Sequence, residues 1–179
     1  MSSNYKKLMQ RREAQRFDST RLYTPEPNKT GMPAEREWHH WCGLKQDLRY
    51  KAGGDGGIDV VLNLNLHGRP TEVFSDVKAT QFHGRLHKMY LCVDPKDLDT
   101  EAIYVLAEAW AIDDRAKLMG WHWGWRVQQQ TPSNELGSGP RHLLPQTELN
   151  HMDELRQILI GARHSTEAEW KRRQGCRST

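Results

Sequence analysis

This 179-residue chain has few cysteines, no long apolar run and a low net charge. Its three cysteines, Cys42, Cys92 and Cys176, are odd in number, and their spacing fits neither a zinc site nor a disulfide framework. No apolar run approaches the length that spans a bilayer, and the N-terminus lacks the apolar segment of a secretion signal. These absences argue against a disulfide scaffold and a helical membrane protein, and they predict a soluble, cytoplasmic protein.

Charge is nearly balanced overall but unevenly distributed. Lys and Arg number 26 against 23 Asp and Glu, which leaves a formal charge of +3. Basic residues concentrate near both ends, at Lys6, Lys7, Arg11, Arg12, Arg16 and Arg21 and at Lys171, Arg172, Arg173 and Arg177. Such runs favour a polyanionic partner, although they are more often solvated surface. We divide the chain into a basic arm and linker (residues 1–31), one domain (32–160) and a basic tail (161–179).

A β-hairpin is the clearest predicted element. A glycine-rich turn over residues 53–57 leads into a segment whose alternate residues, from Ile58 to Leu66, are apolar. This alternation predicts a strand with one buried face. A turn over residues 67–70 then leads to a second predicted strand over residues 71–80.

The remaining segments predict a mixture of helices and strands. Trp38 and Trp41 lie three apart in a predicted helix over residues 33–42, which Gly43 ends. Further strands are predicted at 46–52, 103–107 and 121–128, helices at 4–17, 108–119 and 147–160, and loops at 18–31 and 131–140. The mixture predicts an α/β or α+β domain with a central mixed sheet flanked by helices, of which we favour α/β.

Two carboxylates and one ammonium group are expected to meet on the predicted hairpin. Asp76 and Lys78 are two apart on one strand, so they project from the same face. Asp59 opens the neighbouring strand, on the face opposite its apolar row. Paired carboxylates are the ligands that a hard cation such as Mg²⁺ requires. The alternative is an ordinary surface ion pair. Because like charges repel, replacing either aspartate by asparagine is predicted to raise the melting temperature without metal.

A glutamate on the predicted helix is a further acidic candidate. Glu35 lies three residues before Trp38, on a neighbouring helix position, and Glu37 competes for the same role. A glutamate in the first turn of a helix can also serve only to stabilise the helix dipole. We favour Glu35 because Trp38 and Trp41 can anchor this side of the helix against the sheet.

These residues resemble the pattern of the PD-(D/E)XK nuclease superfamily. That pattern has a helix glutamate, an aspartate that opens one hairpin strand, and Asp or Glu, any residue, and Lys on the next strand. Glu35, Asp59 and Asp76-Val77-Lys78 match it in order. The stretches 54–59 and 35–43 are also similar to those of restriction-type and phage-encoded members. The resemblance covers residues 33–110, and Ile58 stands where the superfamily's name has proline.

The resemblance implies a restriction-endonuclease-like core and a role for each residue. Asp59 and Asp76, with the backbone carbonyl of Val77, would hold Mg²⁺ or Mn²⁺. Lys78 would position the attacking water. Glu35 would bind the metal through water or hold a second metal ion.

Two further groups are candidates for contacts with nucleic acid. Gln81 and Arg85 follow the lysine closely and can contact phosphates, although a polar loop is an equal alternative, above all for Arg85. Trp121, Trp123 and Trp125 alternate along a predicted strand. They can stack on exposed bases, but packing in the core is the favoured interpretation.

The predicted function is metal-dependent hydrolysis of DNA phosphodiester bonds in a bacterial cell or a phage-infected host. RNA as substrate, endonuclease or exonuclease action, and a homo-oligomeric state stay open. One alternative is a non-catalytic nucleic-acid-binding module that keeps the nuclease fold. Another is an unrelated α/β protein whose hairpin carries a chance ion pair.

Overall fold

A computed structural model describes residues 26–44, 59–81, 89–110, 113–136, 139–160, 165–166 and 172. The helices are α1 (Glu26–Trp41), α2 (Gly124–Gln128) and α3 (Met152–Ile158). The strands are β1 (Val60–Leu66), β2 (Arg69–Gln81), β3 (Tyr90–Val93), β4 (Ile103–Trp110), β5 (Arg115–Trp123), β6 (His142–Pro145) and β7 (Ser165–Thr166). Short 3-10 turns cover Pro95–Asp97 and Gln146–Glu148. Within these ranges, no helix has the length and apolar character to cross a membrane.

A mixed sheet forms the centre of the fold. Its five strands lie in the order β5-β4-β2-β1-β7, and β3 and β6 form a separate two-stranded sheet. β2 and β4 are parallel, whereas the other neighbours in the central sheet are antiparallel. The predicted α/β fold with a mixed central sheet is therefore confirmed.

Each face of the central sheet is covered by a different layer. On the helical face, α1 and α3 pack through Ala34, Trp38, Met152 and Leu155 against apolar residues of the central strands. On the opposite face, residues of β3, β6 and α2 pack against Tyr104 and Leu106 of β4. Alternate residues of β4 therefore serve two cores, which explains why this strand is apolar almost throughout.

The β1–β2 hairpin has the geometry that the sequence predicts. Val60, Leu62 and Leu64 all pack on the helical face, so the predicted alternation is confirmed. The connecting residues His67 and Gly68 have φ angles of 52° and 80°. Positive φ at both central positions is what a type I′ hairpin turn requires, and glycine adopts it without steric cost.

Helix α1 begins earlier than the sequence predicts. The proline and glycine content of residues 26–31 predicts a linker, but the helix starts at Glu26. Pro27 lies in the first turn, where its missing N–H group is not needed for an intrahelical hydrogen bond. The domain boundary predicted between residues 31 and 32 therefore falls inside a helix. The basic segments before residue 26 and the predicted elements at 4–17 and 46–52 lie outside the described residues.

The second half of the chain differs more from the sequence prediction. The predicted helix over residues 108–119 is wrong, because β4 continues to Trp110 and pairs antiparallel with β5. The predicted strand over residues 121–128 divides into the end of β5 and helix α2. The closing helix is shorter than predicted, and it begins after His151 with a capping box to Glu154. Helix-favouring residues such as Ala116 and Leu118 form a strand here because pairing and burial outweigh intrinsic propensity.

Gly124 marks a close approach between two backbone segments. A Cβ atom added there would lie 1.8 Å from the backbone oxygen of Asp99. The nitrogen of Gly124 also donates to the backbone oxygen of Ala102 at 2.8 Å, so the two segments cannot simply separate. Only glycine fits this position.

We expect Gly124→Ala to lower the free energy of unfolding by about 3 kcal/mol, the upper end of the cost of overpacking. Chemical denaturation measures this change. Gly31→Ala is the matched control, because nothing lies within 4 Å of its added Cβ. Alanine also favours the helix by up to about 1 kcal/mol, so the control should be neutral or stabilising. Equal stability of the two variants would contradict the close approach.

Candidate active site

Asp59 lies directly before β1 and is held against β2 by two hydrogen bonds. Its backbone nitrogen donates to the backbone oxygen of Ser75 at 2.9 Å. Its carboxylate oxygen Oδ2 accepts from the backbone nitrogen of Val77 at 2.7 Å. The side chain of Asp59 thus lies against the peptide that joins Asp76 to Val77.

Asp76 and Lys78 project from one face of β2, as the sequence predicts. Val77, between them, packs on the helical face, so alternation places both charged residues on the opposite face. The Lys78 ammonium forms an ion pair with Asp76 Oδ2. Asp76 is only 7% exposed, whereas the Lys78 side chain is 29% exposed. A largely buried carboxylate therefore meets a cation that can reach solvent.

The electrostatic surroundings keep Lys78 charged. Burial on its own lowers the pKa of Lys78, but the charge and hydrogen bond of Asp76, with smaller contributions from Asp59 and Tyr104, raise this pKa above its usual value. The ammonium can therefore donate hydrogen bonds to water or to a phosphate oxygen. Its raised pKa makes it a poor proton acceptor in this arrangement.

Tyr104 borders the site and was not predicted from the sequence. It pairs with Asp76 across the parallel β2–β4 contact. Its hydroxyl donates to the backbone oxygen of Asp97 at 3.0 Å and accepts from the backbone nitrogen of Asp99 at 2.8 Å. Burial, opposed by the hydrogen bond from Asp99, raises the pKa of Tyr104. The residue thus fixes the loop after β3 beside the charged pair, and only the strand register could have identified it.

The metal-binding chemistry of these groups is that of hard oxygen donors. Asp59 and Asp76 each supply a carboxylate, of which one oxygen contacts the Val77 amide or the Lys78 ammonium. With water completing the coordination shell, such donors fit Mg²⁺ or Mn²⁺. In the described part of the chain, no group of three or more His, Cys, Asp or Glu side chains is close enough to hold a metal ion. The metal site formed by Asp59, Asp76 and the backbone carbonyl of Val77 therefore stays a prediction.

Glu35 is not brought into a three-carboxylate group with Asp59 and Asp76. Ala34 and Trp38, its neighbours on α1, pack on the helical face of the sheet, whereas Asp76 projects from the other face. A direct contact with the metal is therefore disfavoured. The contact through water and the second metal ion, both of which the resemblance implies for Glu35, stay predictions.

We expect Glu35→Gln to lower metal-dependent activity about tenfold, the lower end of the effect of losing a partner that orients a ligand through water. Glu37→Gln is the matched control, because residues two apart on a helix do not share a face. Rates at saturating Mn²⁺ measure both changes. The opposite ranking would transfer the role to Glu37, and equal small effects would restrict the site to Asp59, Asp76 and Lys78.

The predicted nucleic-acid contacts fall at or beyond the limit of the described residues. Gln81 is the last residue of β2, and its backbone pairs with Ala109. Arg85 lies outside the described residues. Both assignments therefore stay predictions.

The three alternating tryptophans do not share one strand face. Trp121 is 4% exposed and donates from Nε1 to the backbone oxygen of His151 at 3.1 Å. Trp123 is partly buried against the same core. Trp125 instead lies on α2 and is 48% exposed. The core interpretation is confirmed for the first two, and the predicted row of three is wrong because the strand ends at Trp123.

The candidate site is thus small. It comprises Asp59 directly before β1 and Asp76, Val77 and Lys78 on β2, with Tyr104 of β4 beside them. Its groups can bind a hard cation and an anion side by side. Comparison of the chain with protein-family models, with curated protein sequences and with solved structures finds no match.

Proposed function

We propose that this protein is a metal-dependent nuclease that hydrolyses DNA phosphodiester bonds on a restriction-endonuclease-like core. The observation that carries the proposal is the contact of the Asp59 carboxylate with the Val77 amide, directly beside the Asp76–Lys78 ion pair. A chance surface ion pair would not explain why the carboxylate directly before β1 accepts a hydrogen bond from Val77, the residue between Asp76 and Lys78. Nor would it explain why Asp76 is buried, since burying a charge is costly.

Each residue has a definite role in the proposed mechanism. Asp59, Asp76 and the carbonyl of Val77 would hold Mg²⁺ or Mn²⁺, which when bound would withdraw charge from the phosphate and acidify water. Lys78 donates hydrogen bonds that orient the attacking water or stabilise negative charge on a phosphate oxygen. Water attacks phosphorus in line, a new P–O bond forms, and the bond to the 3′ oxygen breaks. The attacking water releases a proton to solvent and the 3′ oxygen takes up a proton from solvent, which leaves a 3′-hydroxyl and a 5′-phosphate.

Incubation with linear, circular and single-stranded DNA, and with RNA, tests the proposal directly. We expect cleavage of DNA with Mn²⁺ or Mg²⁺, none with excess chelator, and 5′-phosphate ends in the product. Asp76→Asn, purified in the same way, controls for a contaminating nuclease. Binding of DNA without cleavage under every metal condition would favour the non-catalytic binding module. Absence of both binding and cleavage would favour an unrelated α/β protein.

A further inference from the structure

A buried chain of hydrogen bonds crosses three elements directly behind the candidate site. On the helical face, Trp38 Nε1 donates to the hydroxyl oxygen of Ser75 at 3.2 Å. The Ser75 hydroxyl donates in turn to the backbone oxygen of Val60 at 2.7 Å. Trp38 and Val60 are fully buried, and Ser75 is 1% exposed. These hydrogen bonds therefore connect α1 to β2 and β2 to β1 in the interior of the protein.

A serine at this position needs an explanation, because the residues two before and two after it on β2 are valines. Val73 and Val77 pack in the core on the same face. A buried hydroxyl is costly unless it is hydrogen-bonded, whereas another apolar residue would simply extend the core. The two hydrogen bonds of the Ser75 hydroxyl, one accepted and one donated, offset that cost. The Trp38 ring is itself held by stacking on Trp41, with 5.2 Å between the ring centroids. Because hydrogen bonds are directional, this pair of bonds specifies the position of β1 relative to β2 more narrowly than apolar packing would.

These hydrogen bonds lie next to the two carboxylates of the candidate site. Ser75 is the residue before Asp76, and Val60 is the residue after Asp59. The regular pairing of β1 with β2 ends at Val60 and Ser75, so Asp59 lies just beyond the paired ladder. A hard cation bound at about 2.0–2.1 Å from each oxygen tolerates little change in the separation of its ligands. The hydrogen bond from the Ser75 hydroxyl to Val60 lies one residue from each ligand. It adjoins the two hydrogen bonds that Asp59 itself makes with Ser75 and Val77.

We propose that Trp38 and Ser75 are positioning residues that hold the Asp59 and Asp76 carboxylates at the separation a divalent cation requires. The inference rests on the proposed function, because it assigns a role at the same site. Neither residue touches the substrate or the cation, and both act through the backbones of β1 and β2. Their removal should therefore weaken cation binding and slow the chemical step without changing the affinity for DNA.

The test compares Trp38→Phe with Trp121→Phe. Both tryptophans belong to the same core cluster, and each donates its indole N–H group to an acceptor in the protein. Only the bond from Trp38 reaches the strands of the site. We expect similar losses of melting temperature, but about tenfold weaker Mn²⁺ binding by calorimetry and a lower kcat at unchanged KM for Trp38→Phe alone. Trp121→Phe should stay within about twofold of the parent in all three quantities, since it orders no ligand strand.

Ser75→Ala provides a second, smaller change should Trp38→Phe not fold. It removes the hydroxyl without altering the indole, and we expect the same weakening of Mn²⁺ binding. Equal Mn²⁺ affinities for the parent, Ser75→Ala and Trp38→Phe would overturn the positioning role while leaving the proposed nuclease intact. Equal weakening by Trp38→Phe and Trp121→Phe would also overturn it, since the effect would then be one of general stability. A parent protein that neither binds Mn²⁺ nor cleaves DNA would instead overturn the proposed function, and this inference with it.

Discussion

Lys78→Ala is expected to lower metal-dependent DNA cleavage by about 10²–10⁴-fold, the range for losing a group that orients water or stabilises transition-state charge. DNA affinity should change little, because the interaction acts mainly in the transition state. Lys96→Ala is the matched control. Lys96 also pairs with an aspartate two residues before it, Asp94, at 3.8 Å, but in an exposed turn. Single-turnover rates at saturating Mn²⁺ measure both variants.

The same substitution should have opposite effects on stability and on metal binding. Without Lys78, the largely buried Asp76 carboxylate loses its cation, which should cost about 1–3 kcal/mol of unfolding free energy, since Lys78 is partly screened by solvent. A divalent cation would then bind without displacing a competing ammonium, so Mn²⁺ affinity should rise and restore the melting temperature. Near-normal turnover of a folded Lys78→Ala protein would remove the lysine from the mechanism.

Asp59→Asn and Asp76→Asn should each abolish detectable Mn²⁺ binding and lower cleavage by about three orders of magnitude. A hard cation prefers a carboxylate to a neutral amide, and a bound cation supplies several kcal/mol of transition-state stabilisation. Calorimetric titration with Mn²⁺ and cleavage rates measure the two effects. Asp94→Asn, which changes an aspartate of the exposed turn, is the control. Unchanged Mn²⁺ affinity in both site variants would contradict the assignment.

The metal-free stability of these two variants should differ. Sequence alone predicts that either change raises the melting temperature by relieving repulsion. The structure alters that expectation, because Asp76 has the ammonium of Lys78 beside it. Asp76→Asn should therefore lower the melting temperature. Asp59→Asn keeps an amide oxygen that can accept from Val77 and should be nearly neutral.

Sequence patterns predicted the parts of the fold that depend on neighbouring residues. Alternation identified β1, and the two-residue spacing of Asp76 and Lys78 identified their common face. Both features follow from the geometry of a single strand. The pairing of β4 with β5 was missed because residues 108–119 contain helix-favouring alanine, lysine, leucine and methionine, and no local signal reveals the partner strand.

The site was predicted in the same uneven way. Asp59, Asp76 and Lys78 were found from one hairpin, whereas Tyr104 depends on a register between strands that are distant in the chain. Nothing in the sequence marks Ser75 except that it is a small polar residue with valines two positions before and two positions after it. The position of Glu35 depends on which face of the sheet receives α1, and spacing within the helix contains no information about that choice.

The parallel contact between β2 and β4 has a consequence for the order in which the chain acquires its structure. β1 and β2 are joined by two residues, and such hairpins form in about 1–10 μs because little chain entropy is lost in closing them. Strand β4 can join β2 only after a crossover that contains β3. We therefore expect the contact of Asp59 with Val77 to form with the most local pairing of the sheet. We expect the pairing of β4, with Tyr104, to follow, so the two carboxylates would come together while they are still in contact with water.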